Sequence, residues 1–133
     1  MSDRDREKWN ARFASGSHAS TTPSAFIVSL ADRLPARGRA LDMAGGAGRN
    51  GLWLAERGLD VTIADISAEG LAIAAERAAE RGLTITTLER DLEVEGLPPG
   101  PWDVIVSVLY LERSLLAQLP EVLAPGGSFV MLQ

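Results

Sequence analysis

The feature that most constrains this chain is the run Asp42-Met-Ala-Gly-Gly-Ala-Gly48, a glycine-rich turn between a short apolar segment and a helical pattern. Glycine serves where the backbone must bend left-handed or approach a neighbour closely. A turn that leaves a strand and opens a helix also presents unpaired helix-start amides, which favour hydrogen-bond acceptors. Arg39–Met43 reads as the strand before the turn. Residues 49–57 read as the helix after it, closed by Gly58 where a helix C-terminal glycine is expected.

The same alternation continues downstream. Residues 61–64 form a second strand. Ser67 caps a helix over 67–81 that ends at Gly82, and 84–88 is a third strand rich in β-branched residues. Pro98, Pro99 and Pro101 make 96–101 a loop. The continuous apolar run 103–108 predicts a strand buried on both faces. A helical stretch over 114–123 follows, with Pro120 in the first turn of a new helix. Pro125-Gly126-Gly127 is a turn and 128–132 the last strand. Ahead of all this, residues 2–14 form a short helix with Trp9 and Phe13 on one side. Residues 15–24 read as a loop or lid, and a helix runs from Pro23 or Ser24 to Leu34 with the stripe Phe26, Ile27, Leu30 and Leu34. The expected architecture is α/β, a Rossmann-like doubly wound and mainly parallel sheet in one domain, with residues 1–24 as helix and lid and 25–133 as core. Such sheets bind ligands at the carboxyl ends of their strands.

Bulk properties narrow the function. The sequence has no cysteine, which excludes a disulfide scaffold, a thiolate nucleophile and thiolate-bound zinc. Its single histidine, His18, argues against a histidine-rich metal site, so no metal is expected. The net charge of −5, without a basic run, gives nucleic-acid phosphate no obvious purchase. The amino terminus lacks the apolar core of a signal peptide, and no apolar run approaches the roughly 20 residues needed to span a bilayer. A cytoplasmic protein without a membrane partner is expected.

Carboxylates stand at successive strand ends. Asp65 follows the second strand, nineteen positions after Gly46, where it can accept from both hydroxyls of a ribose; the alternative is a helix cap, a service Ser67 already offers. Gly46, Gly48 and Gly51 satisfy the dinucleotide fingerprint, so an NAD-dependent oxidoreductase is one reading. Asp42, directly before the turn, disfavours a pyrophosphate and suits a cation, and S-adenosylmethionine carries an ammonium and a sulfonium. Its alternative role is to bond loop amides. Asp91 follows the third strand, placed to accept from an adenine amino group, with Leu92 offering an amide and an apolar contact; alone, an aspartate there is more often a turn residue.

Taken in order, these residues resemble a class I S-adenosylmethionine-dependent methyltransferase over nearly the whole chain. Ala40-Leu-Asp-Met-Ala-Gly-Gly-Ala-Gly-Arg-Asn50 is similar to the family's first motif, 61–67 to its second and Arg90-Asp-Leu-Glu93 to its third. Trp102-Asp-Val-Ile-Val-Ser107 and Leu123-Ala-Pro-Gly-Gly-Ser-Phe-Val130 match its fourth strand and the turn before its fifth. Trp9-Asn-Ala-Arg-Phe13, Arg49-Asn50 and Tyr110-Leu-Glu-Arg113 resemble the small-molecule branch that contains tellurite-resistance and thiopurine methyltransferases. Ala44 stands where the family often has glycine, Gly45 where it often has cysteine, and Glu112 where this branch often has histidine.

The resemblance implies S-adenosylmethionine as cofactor, S-adenosylhomocysteine as product and a small-molecule acceptor: a thiol, a chalcogen oxyanion or a metabolite hydroxyl. It implies cofactor contacts from Asp42, Ala44, Gly46, Gly48, Arg49, Asn50, Asp65, Ile66, Asp91, Leu92 and Ser107, with Val108 beside Ser107 and with Trp9 and Arg12 folding over from an N-terminal lid. Tyr110 offers an aromatic wall or a hydroxyl near the acceptor, or simply packs at a helix start. Methyl transfer from a sulfonium needs no general base, and none stands out. Glu76, Arg77, Glu80 and Arg81 read as a solvated helix face without function. The family's sheet normally adds a helix and an antiparallel sixth and seventh strand, whereas Phe129-Val-Met-Leu-Gln133 is apolar to its end. The expectation is that the chain is cut short, a cofactor-binding fragment without turnover, or that another copy covers the exposed edge.

Overall fold

A computed structural model describes residues 3–16 and 20–133; His18 lies outside them. Five strands form one parallel sheet in the order β3-β2-β1-β4-β5. They are β1 (Arg39–Met43), β2 (Asp60–Asp65), β3 (Ile85–Glu89), β4 (Trp102–Val108) and β5 (Leu123–Leu132). The chain winds outward from β1 through β2 to β3, then returns to the other side of β1 for β4. The strand order therefore reverses between β1 and β4, where open α/β sheets form a crevice at their carboxyl edge. This is the Rossmann-like architecture expected of a class I methyltransferase core.

Alternation along the strands divides the core between two faces. Ala40, Val61, Ile63, Val104 and Val106 pack with Ile27, Leu54, Leu71 and Ala74 on one face. Leu41, Met43, Ala64 and Ile105 pack with Leu92, Leu115 and Val122 on the other. The first face is covered by α2 (Ala25–Ser29), α3 (Arg49–Glu56) and α4 (Ala68–Glu80). The second is covered by three single-turn helices, α5 (Leu92–Glu95), α6 (Arg113–Leu116) and α7 (Leu119–Val122). The N-terminal α1 (Asp3–Ala14) lies against α4.

Three elements differ from expectation. The helix predicted to reach Leu34 stops at Ser29 and continues as a 3-10 turn, Ala31–Arg33, because Leu30 bonds back to Ile27 and Arg33 to Leu30, tightening the coil. The stripe still works, with Ile27 and Leu34 buried and Phe26 and Leu30 packed beside them. Helix α5 was not anticipated. Pro125-Gly126-Gly127 does not precede β5 but lies within it, as an irregularity in the pairing with Trp102 and Val104. Pro120 does open a new helix, α7. Among the described residues β5 pairs with β4 alone, which puts it at one edge of the sheet, and no helix is long and apolar enough to cross a membrane.

Candidate functional site

At the carboxyl ends of β1, β2 and β4 lies a cleft of about 220 Å³. Its floor is the glycine turn, residues 44–48, with Arg49 opening α3. The walls are Asp65 and Ile66 after β2, Val108, Leu109 and Tyr110 after β4, and Trp9, Phe13 and Ser20 from the N-terminal segment. The turn is held by left-handed backbone at Ala44 (φ 57°), Gly46 (φ 54°) and Gly48 (φ 87°). Ala44 stays there at some steric cost, which explains physically why glycine suits that position.

The glycines answer first to protein neighbours. A Cβ on Gly45 or Gly51 would collide with the Asp42 carboxylate and Ile63, and one on Gly46 with the Phe13 ring. Asp42 thus sits behind the turn as its buttress, 1% exposed and outside the cleft lining. Its Oδ2 has no hydrogen-bond partner among the described residues. Burial pushes this carboxyl up to about 7. The Gly51 amide opposes the shift, the nearby Asp65 adds to it, and Arg49 opposes it.

Asp65 lines the cleft and is fixed from both sides: Oδ2 accepts from the Gly46 amide at 2.9 Å and Oδ1 from the Ser67 amide at 2.8 Å. Burial raises its pKa, while the amides of Ser67, Gly46 and Ile66 pull it down. Asp65 thus binds loop amides while Ser67 supplies the cap of α4, and each Asp65 carboxylate oxygen retains a second acceptor site. Ser67 caps α4 through Gly70 N, and its Oγ donates to Asn10 Oδ1 at 2.6 Å. The Ile66 carbonyl accepts from Arg6 Nε at 3.4 Å. Helix α1 is thereby tied to the strand end that carries Asp65.

The structure brings together Trp9, Ala44, Gly46, Gly48, Arg49, Asp65, Ile66, Val108 and Tyr110 in the cleft lining. The remaining expected contacts lie outside it. The buried Asn50 uses its Oδ1 to accept from Ser24 N at 2.8 Å, anchoring the 20–24 segment. Asp91 caps α5, accepting from Glu93 N, while its own amide donates to Glu95. Leu92 is core. Ser107 is fully buried and donates from Oγ to the Tyr110 carbonyl at 2.7 Å, leaving Val108 to face the cleft. Arg12 stacks over Trp9, 4.9 Å from the ring centroid, and it is Trp9 and Phe13, with centroids 6.0 Å apart, that reach the lining. Glu112 is a partly exposed cap of α6. Its hydrogen bonds from Ser114 hold its carboxyl below the ordinary value.

Two groups escaped the sequence reading. Arg77, taken as a solvated charge, donates Nη1 to the Ala47 carbonyl at 3.2 Å and the Ser20 carbonyl at 3.3 Å, joining the glycine turn to the N-terminal segment. Alternating charges on a helix carry no sign of such a reach. Leu109 has φ 60° and is 69% exposed at the cleft rim, where pattern reasoning finds only the end of an apolar run.

Comparison with known proteins agrees with this geometry. Residues 40–127 match the family described as Methyltransferase domain. The chain is 37% identical over 102 residues to the demethylmenaquinone methyltransferase of Thermus thermophilus, covering 71% of this chain and 46% of that one. TehB from Haemophilus influenzae superposes with a TM-score of 0.75 at 26% identity, over 90% of this chain and 44% of that one. A structure from work on conversion of a disulfide bond into a thioacetal group in echinomycin biosynthesis superposes with a TM-score of 0.78 at 22% identity, over 95% and 59%. The chain therefore spans about half the length of the proteins it resembles.

Proposed function

The chain belongs to the Methyltransferase domain family, and on that premise we propose that its cleft binds S-adenosylmethionine and directs methyl transfer to a small-molecule acceptor. The observation that carries this reading is the Asp65 carboxylate, held in the cleft wall by the Gly46 and Ser67 amides, so that glycine turn and acidic wall form one rigid unit. Asp65 keeps acceptor capacity for a ribose. The Asp65 carboxylate in the cleft wall suits a cationic ligand and disfavours a pyrophosphate, while Asp42 behind the turn, pushed up to about 7 by burial, adds only part of a negative charge near neutral pH.

The sulfonium of such a cofactor supplies a methyl group already activated, with a neutral thioether as leaving group. The protein's share is then positioning and exclusion of water. The floor at 44–48 and the wall at Asp65 and Ile66 fix one side of the cleft. Val108, Leu109 and Tyr110 line the other, and Trp9 and Phe13 limit solvent access. Burial pushes the Tyr110 hydroxyl up to about 12, with Glu112, Asp91 and Asp65 adding to the shift. Tyr110 therefore stays protonated near neutral pH and serves as a hydrogen-bonding group, not as a base. The likeness to TehB supports the tellurite-resistance and thiopurine-like branch, and the likeness to the demethylmenaquinone enzyme supports an organic acceptor.

Thermal shift with S-adenosylhomocysteine and NAD separates the two cofactor readings. S-adenosylhomocysteine at one hundred times its Kd should add about 2.7 kcal/mol of stability, with NAD leaving the transition unmoved. Protection by NAD alone would return the site to the dinucleotide reading.

A further inference from the structure

Gly70 stands at a place where α4 gains nothing from a glycine. It lies buried in the first turn of a regular helix, with no left-handed backbone to accommodate, and glycine is a poor helix former. The reason for it comes from another element. A Cβ at Gly70 would lie 2.8 Å from Phe13 Cε2 and 2.9 Å from its Cδ2, closer than packed carbons can stand. The same ring turns its Cζ to Gly46, where a Cβ would lie 2.7 Å away. Two glycines, one in α4 and one in the glycine turn, thus form a slot for one aromatic ring of α1.

The ring has little room to yield. Phe13 is only 6% exposed, and its helix is pinned to the start of α4. Asn10 Oδ1 accepts from Ser67 Oγ at 2.6 Å and from Glu69 N at 3.3 Å, and Arg6 Nε donates to the Ile66 carbonyl. Phe13 lines the cleft, whereas Gly70 lies outside the lining. Gly46, against which the ring also rests, is the residue whose amide holds Asp65 Oδ2. The depth at which the ring seats against Gly70 therefore sets both the roof of the cleft and the packing on the Gly46–Asp65 pair. Resting on the methyl-transfer reading, we propose that Gly70 is a positioning residue for the cofactor, acting through Phe13 from outside the cleft.

The test is calorimetric titration of S-adenosylhomocysteine, with thermal melts, on the parent, Gly70→Ala, Phe13→Leu and the double variant. Gly70→Ala keeps the amide that donates to Ser67 Oγ and adds only a methyl group, yet it should weaken binding by about tenfold or more. Phe13→Leu shortens the side chain in the slot, so that the methyl fits. The double variant should then bind within about threefold of Phe13→Leu alone and melt higher than it, because alanine favours the helix. A methyl that impairs binding beside the phenyl ring and spares it beside leucine reports a direct coupling, which a general loosening of α4 does not give. If Gly70→Ala alone does not fold, recovery of folding and binding in the double variant supports the same coupling. Unchanged affinity in Gly70→Ala, or a loss that persists in the double variant relative to Phe13→Leu, overturns the inference and leaves the cofactor reading standing. Failure of S-adenosylhomocysteine to bind the folded parent overturns the methyl-transfer reading and this inference with it.

Discussion

Asp42 is a fully buried carboxyl whose second oxygen finds no partner among the described residues, and burial lifts its pKa from 3.8 to about 7. Because the folded state holds this proton more tightly than the unfolded chain, the stabilisation is complete below the unfolded value and is lost as pH rises through about 7. Asp65 shifts in the same direction. The Tm of the ligand-free protein should therefore fall between pH 4 and pH 8. Asp42→Asn, which cannot ionise, should flatten that fall and be relatively more stable at pH 8, as a pH series of thermal melts will show. A parallel decline in the variant and the parent would place the buried proton elsewhere. At this scale the sequence showed which residue types cluster at strand ends but not where their side chains point. Asp42, Asn50, Asp91 and Ser107 all lie at the expected places. Each is turned toward a backbone amide, a carbonyl or the core, because short loops must satisfy their own polar groups before any ligand's.

Among the elements, α4 links the site to its cover. Ser67 caps the helix and binds Asn10 of α1, while Arg77 ten residues on reaches back to the glycine turn and to Ser20. Ser67→Ala should cost about 1–2 kcal/mol in urea unfolding, since it removes the N-cap and the interhelical bond together. Arg77→Gln should cost about 1 kcal/mol and weaken S-adenosylhomocysteine binding several-fold by loosening the turn, an effect that calorimetry will separate from stability. The strands and the two long helices of the core were legible because periodicity, caps and terminal glycines agree. The single-turn α5 has too few residues to show a period. The break at Leu30 and the irregularity inside β5 are set by what those segments pack and pair against, information a linear pattern does not hold.

For the whole molecule, the strand order places the reversal between β1 and β4 beneath the glycine turn, and the cleft residues at the ends of β1, β2 and β4 follow from that topology. The fold class was readable in advance because alternating strands and helices admit few arrangements. The roof was less so: Trp9 and Arg12 were expected over the cofactor, whereas Trp9 and Phe13 reach the cleft, and the roles of Asn10, Arg77 and Asn50 in fastening it depend on contacts between segments far apart in sequence. The central claim, that turn and Asp65 form one cofactor-binding unit, is tested most directly by calorimetric titration of S-adenosylhomocysteine into the parent chain and into Asp65→Ala. One-to-one binding to the parent, weakened at least thirtyfold in a folded Asp65→Ala variant, is the predicted result. No binding to the folded parent, or equal affinity in both proteins, would contradict it.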